Sequence, residues 1–148
     1  GPFYLTGRAD RIELRTDGQL AILDYKTGTA PSTKQGATFS PQLPLEAAMA
    51  ARGAFANVPA APVADFAYVE LKGGAEPGRE KPGVDEKTTA TAMADEALER
   101  LKDLLTAFDD EAQGYRSLAA PQWRGRFGAY DHLARVREWA LGAEEGGE

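Results

Sequence analysis

Apolar and polar residues alternate along residues 3–14, FYLTGRADRIEL, and 20–26, LAILDYK, and both stretches are rich in β-branched, aromatic and aliphatic side chains. A period of two predicts strands, and the intervening RTDGQ predicts the turn of a hairpin. Residues 27–41 carry Gly28, Pro31, Gly36 and Pro41 and are expected to form a loop. Residues 42–55, QLPLEAAMAARGAF, predict a helix. Its Leu43, Leu45, Ala47, Ala48, Met49 and Ala51 are apolar nearly all round, so it is expected to be buried. Another strand is predicted at 64–71, ADFAYVEL, followed by a polar loop, KGGAEPGREKPG, expected to be mobile. From 92 to 112 Leu98, Leu101, Leu104, Leu105 and Phe108 recur at helical spacing, a stripe expected to pack on the sheet. A last helix is predicted over 128–141.

Composition narrows the chemistry. At 148 residues the chain has the size of one ordinary domain. Residues 1–141 are assigned to that domain, and the Gly/Glu-rich 142–148 to a tail expected to be disordered. The absence of cysteine excludes disulfides, thiolate zinc sites, cysteine nucleophiles and cysteine-held iron–sulfur clusters. Any metal must sit on oxygen or on His132, the one histidine, and oxygen ligands select hard ions such as magnesium, manganese or calcium. A lone histidine on a helix is more often a packing or surface residue. No run reaches the roughly 18–20 apolar residues of a membrane helix, and no secretory pattern opens the chain, so a cytoplasmic location away from membranes is expected. The net charge of −6 argues against a free-standing module that grips nucleic acid through a broad basic surface. Either nucleic acid is not the ligand, or other chains hold it.

The hairpin carries the candidate site. Asp24 and Lys26 stand two residues apart on one strand and share a face. If Thr16, Asp17 and Gly18 form a three-residue loop with Gly18 left-handed, Arg15 faces Gln19 and Asp10 falls opposite Asp24. A two-residue Asp17-Gly18 turn would put the two aspartates on opposite faces. The hydrophobic pattern favours the first register, because Ile12, Leu14, Leu20 and Ile22 share the parity of Asp10, Asp24 and Lys26. Two carboxylates facing each other against apolar packing repel, and Lys26 offers one charge for two; a divalent ion resolves the conflict. The blander alternative is a solvated Asp24–Lys26 pair at the sheet's edge, with Asp10 paired to Arg8 or Arg11, and D-x-K alone occurs often by chance.

GRADRIEL, then LAILDYKTG, then PQLPLEAAMA resembles the RecB-like branch of the PD-(D/E)xK nucleases, closest to the nuclease domain of AddB-type helicase–nuclease subunits. The resemblance is strong over residues 3–50 and elsewhere follows the order of elements. It implies an α/β fold with a mixed central sheet flanked by helices. It also implies Mg2+- or Mn2+-dependent hydrolysis of DNA, as an exonuclease working with a helicase–nuclease partner subunit in recombinational double-strand break repair. Asp10 and Asp24 become metal-binding carboxylates, the backbone carbonyl of Tyr25 a further metal ligand and Lys26 the catalytic lysine. Gln42 becomes a substrate-positioning residue.

Three departures accompany it. Glu46 stands where the family helix has tyrosine. The four cysteines that hold an iron–sulfur cluster in many AddB-type domains are missing, so no cluster is expected and Tyr130, Leu133, Val136 and Trp139 are expected to hold the C-terminal segment by packing. The family's N-terminal helix, with its histidine or acidic ligand, is not found before the first strand, so the chain is expected to be a stretch of a longer protein. Arg8, Arg11, Lys34, Arg124 and Arg126 are candidates for phosphate contacts. A catalytically silent nuclease fold that shapes a DNA channel is the principal rival, and a small β-rich binding module a distant third.

Overall fold

In LAILDYK the residues at even positions turn inward: Leu20, Ile22 and Asp24 are buried, whereas Ala21 and Leu23 are half-buried and Tyr25 exposed. This stretch is β2 (Leu20–Lys26) of the computed structural model, which describes residues 3–73 and 77–114. It pairs antiparallel with β1 (Arg11–Leu14) and, on its other side, parallel with β3 (Val63–Leu71). A fourth strand, β4 (Gly78–Pro82), pairs antiparallel with β3, giving a mixed sheet in the order β1-β2-β3-β4. Parallel neighbours need a crossover, and here it carries α1 (Thr33–Phe39) and α2 (Gln42–Ala51). The last described helix is α3 (Ala90–Phe108), opened by the Thr89 hydroxyl, which accepts from the Ala92 N–H at 3.1 Å.

One face of the sheet makes the core. Ile22 lies beside Phe66 and Asp24 beside Tyr68 in the parallel register. Leu20, Ile22, Phe66 and Tyr68 are buried with Leu43, Ala47, Ala48 and Ala50 of α2 and with Ala90, Met93 and Ala94 of α3. Each large side chain hidden this way contributes about 1.5–3 kcal/mol. The alanines keep the helix surface shallow where it meets the sheet. Gly83, just past β4, donates its N–H to the Phe66 carbonyl at 2.9 Å, and a Cβ there would lie 2.5 Å from Phe66 Cδ2.

Four local expectations are corrected. Strand β1 occupies only 11–14 of the predicted 3–14, and Phe3 and Tyr4 are exposed. The loop expected at 27–41 contains α1, started by a capping box in which Ser32 Oγ accepts from the Gln35 N–H. The expected loop after residue 71 contains β4, whose Arg79, Glu80 and Lys81 give it the charged character of an edge strand. On α3 the buried face is Ala90, Met93, Ala94 and Ala97, with Leu98 packed at its edge, while Leu104 is exposed. The leucines follow the turns that lie over the core, so their spacing is helical but their burial is slight. The helix expected at 128–141 and the tail 142–148 lie outside the described residues. The chain divides into units of residues 1–106 and 107–148, and everything described below belongs to the first.

Candidate active site

The hairpin turn sets the first distance. Arg15 N–H donates to the Gln19 carbonyl at 2.8 Å, Gly18 N–H donates to the Arg15 carbonyl at 3.0 Å, and Gly18 has φ of 81°. This is the three-residue loop with a left-handed glycine that the shared parity of the aspartates requires. Arg11 then faces Leu23, Ile12 faces Ile22 and Leu14 faces Leu20. Continued by one step, the register sets Asp10 opposite Asp24. Pairs 15/19, 13/21 and 11/23 alternate with the non-hydrogen-bonded pairs 14/20 and 12/22, so 10/24 is of the second kind, where side chains come closest. The next ladder bond would run from the Tyr25 N–H to residue 9. Asp10 Oδ2 accepts that N–H instead, at 2.9 Å. This substitution ends β1 at Arg11 and holds the Asp10 carboxylate against the backbone of Tyr25. The apolar face was expected to include Leu14, but Leu14 is exposed at the turn end, beyond the reach of the helices.

Asp24 is only 2% exposed. Its Oδ1 accepts from Gln42 Nε2 at 2.9 Å, and the same nitrogen donates its second hydrogen to Glu46 Oε1 at 3.1 Å. Lys26 Nζ lies 2.7 Å from Asp24 Oδ2, a charge contact whose angles do not make a hydrogen bond. Asp24 Oδ2, Glu46 Oε2 and the Tyr68 hydroxyl are the buried side-chain polar atoms, among the described residues, that lack any hydrogen bond. Tyr68 stands beside Asp24 on β3, and Lys26 Nζ is 5.9 Å from the centre of its ring.

The charges leave a clear signature. Burial raises the Glu46 carboxyl above its ordinary value, Gln42 opposes this, and Asp24 and Asp10 raise it further. Burial, then Asp24 and Glu46, push the Tyr68 hydroxyl up to about 12. These groups therefore feel one another as a single negative site. Tyr68 was not anticipated, because strand 63–71 shows which residues share a face but not which neighbour that face meets.

Behind the site Glu70 does the opposite. It neighbours Lys26 in the sheet and is buried, yet Lys72 at 3.0 Å, the Ala30 N–H at 2.8 Å and Lys81 at 3.3 Å all reach its carboxylate. Lys72, the Ala30 amide and Lys81 hold it well down, at about 2 against an ordinary 4.5. Glu70 thereby ties the chain that leaves β2 back onto the sheet. A lowered folded-state value means that the stabilisation is full above pH 4.5 and is lost as pH falls from there toward about 2. Glu70→Gln is expected to lower the thermal midpoint at neutral pH and to flatten this acid arm in a melting series from pH 6 to 2. An acid arm as steep as wild type would show that other carboxylates cause it.

Residues 1–128 match the PD-(D/E)XK nuclease superfamily. The chain belongs to this superfamily. A stretch of 52 residues is 44% identical to an uncharacterized protein of Rickettsia conorii and equally to one of Rickettsia felis, covering 34% of this chain and 6% of either relative. The chain thus spans a small part of the length of the curated relatives it matches. No solved structure matches it.

Nucleases of this superfamily typically use divalent metals, and the donor set here fits one. It consists of oxygens alone: the Asp10 and Asp24 carboxylates with the Tyr25 carbonyl nearby, and the orphaned Asp24 Oδ2 is the atom a cation would satisfy. Among the described residues no three Asp, Glu, His or Cys side chains form a ready cage, so an ion would keep water ligands, as magnesium does. Of the phosphate-contact candidates, Arg11 turns to the opposite face, where it meets Glu13 and the Tyr25 hydroxyl, and Arg124 and Arg126 lie outside the described residues. His132, Tyr130, Leu133, Val136 and Trp139 lie outside them too. No described helix is long and apolar enough to cross a membrane.

Proposed function

We propose that this chain is a metal-dependent nuclease domain that hydrolyses phosphodiester bonds in DNA, with Asp10, Asp24 and the Tyr25 carbonyl holding Mg2+ or Mn2+. The observation that carries the reading is Asp24: a buried carboxylate braced by Gln42 and Lys26, with one oxygen left unsatisfied beside Asp10. When bound, the ion polarises a phosphate oxygen and lowers the pKa of a water. Lys26 contacts Asp24 while that carboxylate carries its full charge, and turns toward the phosphate once the charge is shared. There its ammonium stabilises negative charge developing on phosphorus-bound oxygens. Gln42 keeps Asp24 aimed into the site and stands where it can orient the DNA backbone. The Asp10 carboxylate, fixed by the Tyr25 N–H, keeps its second oxygen for the ion.

The finer setting rests on GRADRIEL, LAILDYKTG and PQLPLEAAMA. These motifs support an exonuclease of AddB type, joined to a helicase–nuclease partner subunit in the cytoplasm for double-strand break repair. A silent nuclease fold that lines a DNA channel is the second reading, favoured by the net charge of −6 and by the closed Lys26–Asp24 contact. The test is cleavage of linear DNA by the full chain in Mg2+, Ca2+ or chelator. Cleavage is expected in Mg2+ alone, with DNA still bound in Ca2+, whose looser coordination positions water poorly. Cleavage in chelator would overturn the metal role, and binding without cleavage in Mg2+ would favour the silent fold.

A further inference from the structure

Glu46 lies one turn after Gln42 on α2 and is 5% exposed. A carboxylate at such depth is costly unless something positive or a donor meets both of its oxygens. Here only Oε1 is met, by the Gln42 amide, and Oε2 has no partner. The nearest cation, Lys26, is already placed against Asp24.

The Gln42 amide spends its two hydrogens on one oxygen of Asp24 and one of Glu46. It therefore draws the two carboxylates to one point and leaves the other oxygen of each, Oδ2 and Oε2, buried and unsatisfied. An arrangement selected for stability alone would put an amide or an apolar side chain at position 46. Charge points the same way. Asp10, Asp24 and Glu46 bring three negative charges and Lys26 one positive, which leaves two, the charge of one divalent ion.

From this geometry we infer that Glu46 is a further metal ligand, a third carboxylate that binds the divalent ion from α2 opposite the hairpin. The inference rests on the metal-dependent reading above and adds a residue to it. Gln42 then acts as the clasp that aims both acids before the ion arrives.

Calorimetric titration of the full chain with Mn2+ alone tests this, with wild type, Glu46→Gln and Asp24→Asn compared and metal-free melting recorded for each. Glu46→Gln keeps the volume and the Oε1 acceptor but removes the charge. It is expected to weaken Mn2+ binding at least about tenfold, with a metal-free midpoint equal to or above that of wild type because a buried like charge is gone. Wild-type affinity in Glu46→Gln, with binding lost in Asp24→Asn, would overturn the role of Glu46 and leave the metal reading standing. Weaker binding together with a lower metal-free midpoint would mark Glu46 as structural and also overturn it. No Mn2+ binding by wild type would overturn both.

Discussion

Lys26→Met should lower DNA cleavage by about 10²–10³-fold, the usual loss when one group that stabilises developing charge is removed, while leaving Mn2+ affinity at or above the wild-type level. The two effects separate because lysine and metal seek the same atom. Lys26 Nζ stands 2.7 Å from Asp24 Oδ2, so an entering cation has to share or displace it. Methionine preserves the unbranched stem next to the Tyr68 ring and takes away the charge. Asp24 Oδ2 is then entirely unpartnered without metal, and the metal-free chain should melt lower than wild type. Parallel measurement of cleavage rate and Mn2+ titration checks this. A fall in affinity would mean that Lys26 assembles the acidic site, and unchanged cleavage would remove it from the chemistry.

The hairpin was legible because two independent patterns in it agree. Ile12, Leu20 and Ile22 fix which parity faces inward, and Asp17-Gly18 supplies a left-handed glycine for an odd-numbered loop, so the pairing of Asp10 with Asp24 followed from local chemistry. Strand β3 and helix α2 were legible for the same reason, as strong apolar runs between Gly and Pro. Their arrangement was not. That β3 lies parallel to β2, with Tyr68 beside Asp24 and Glu70 beside Lys26, depends on the path of the crossover, which no local period encodes.

Helix α1 hid behind Pro31 and Gly36, although Ser32 and Gln35 spell a capping box. Gly36 is in fact required by closeness, since a Cβ there would sit 3.2 Å from the Tyr68 hydroxyl. Strand β4 was obscured by charge, because Arg79, Glu80 and Lys81 read as loop until an edge position explains them. Glu46 was visible as a departure from tyrosine, yet only the structure revealed that it is buried and shares Gln42 with Asp24.

Asp24→Asn carries the second large effect. Asparagine keeps the shape of the side chain and an oxygen for the Gln42 amide, and removes the charge that both Lys26 and a metal need. The site loses one of its few protein oxygens able to bind a hard cation, and an ion held by few carboxylates tolerates that badly. Loss of the several kcal/mol that a bound ion contributes to charge stabilisation corresponds to about 10³-fold in rate. The fold should persist, since the apolar core of Leu20, Ile22, Leu43, Phe66 and Tyr68 is untouched. The most direct measurement is therefore the rate of Mg2+-dependent cleavage of linear DNA by the full chain, wild type against Asp24→Asn, with melting curves to verify folding. A loss of at least about 10³-fold in a folded variant is the expected result. Cleavage by Asp24→Asn at the wild-type rate would contradict a catalytic centre at Asp10, Asp24 and Lys26.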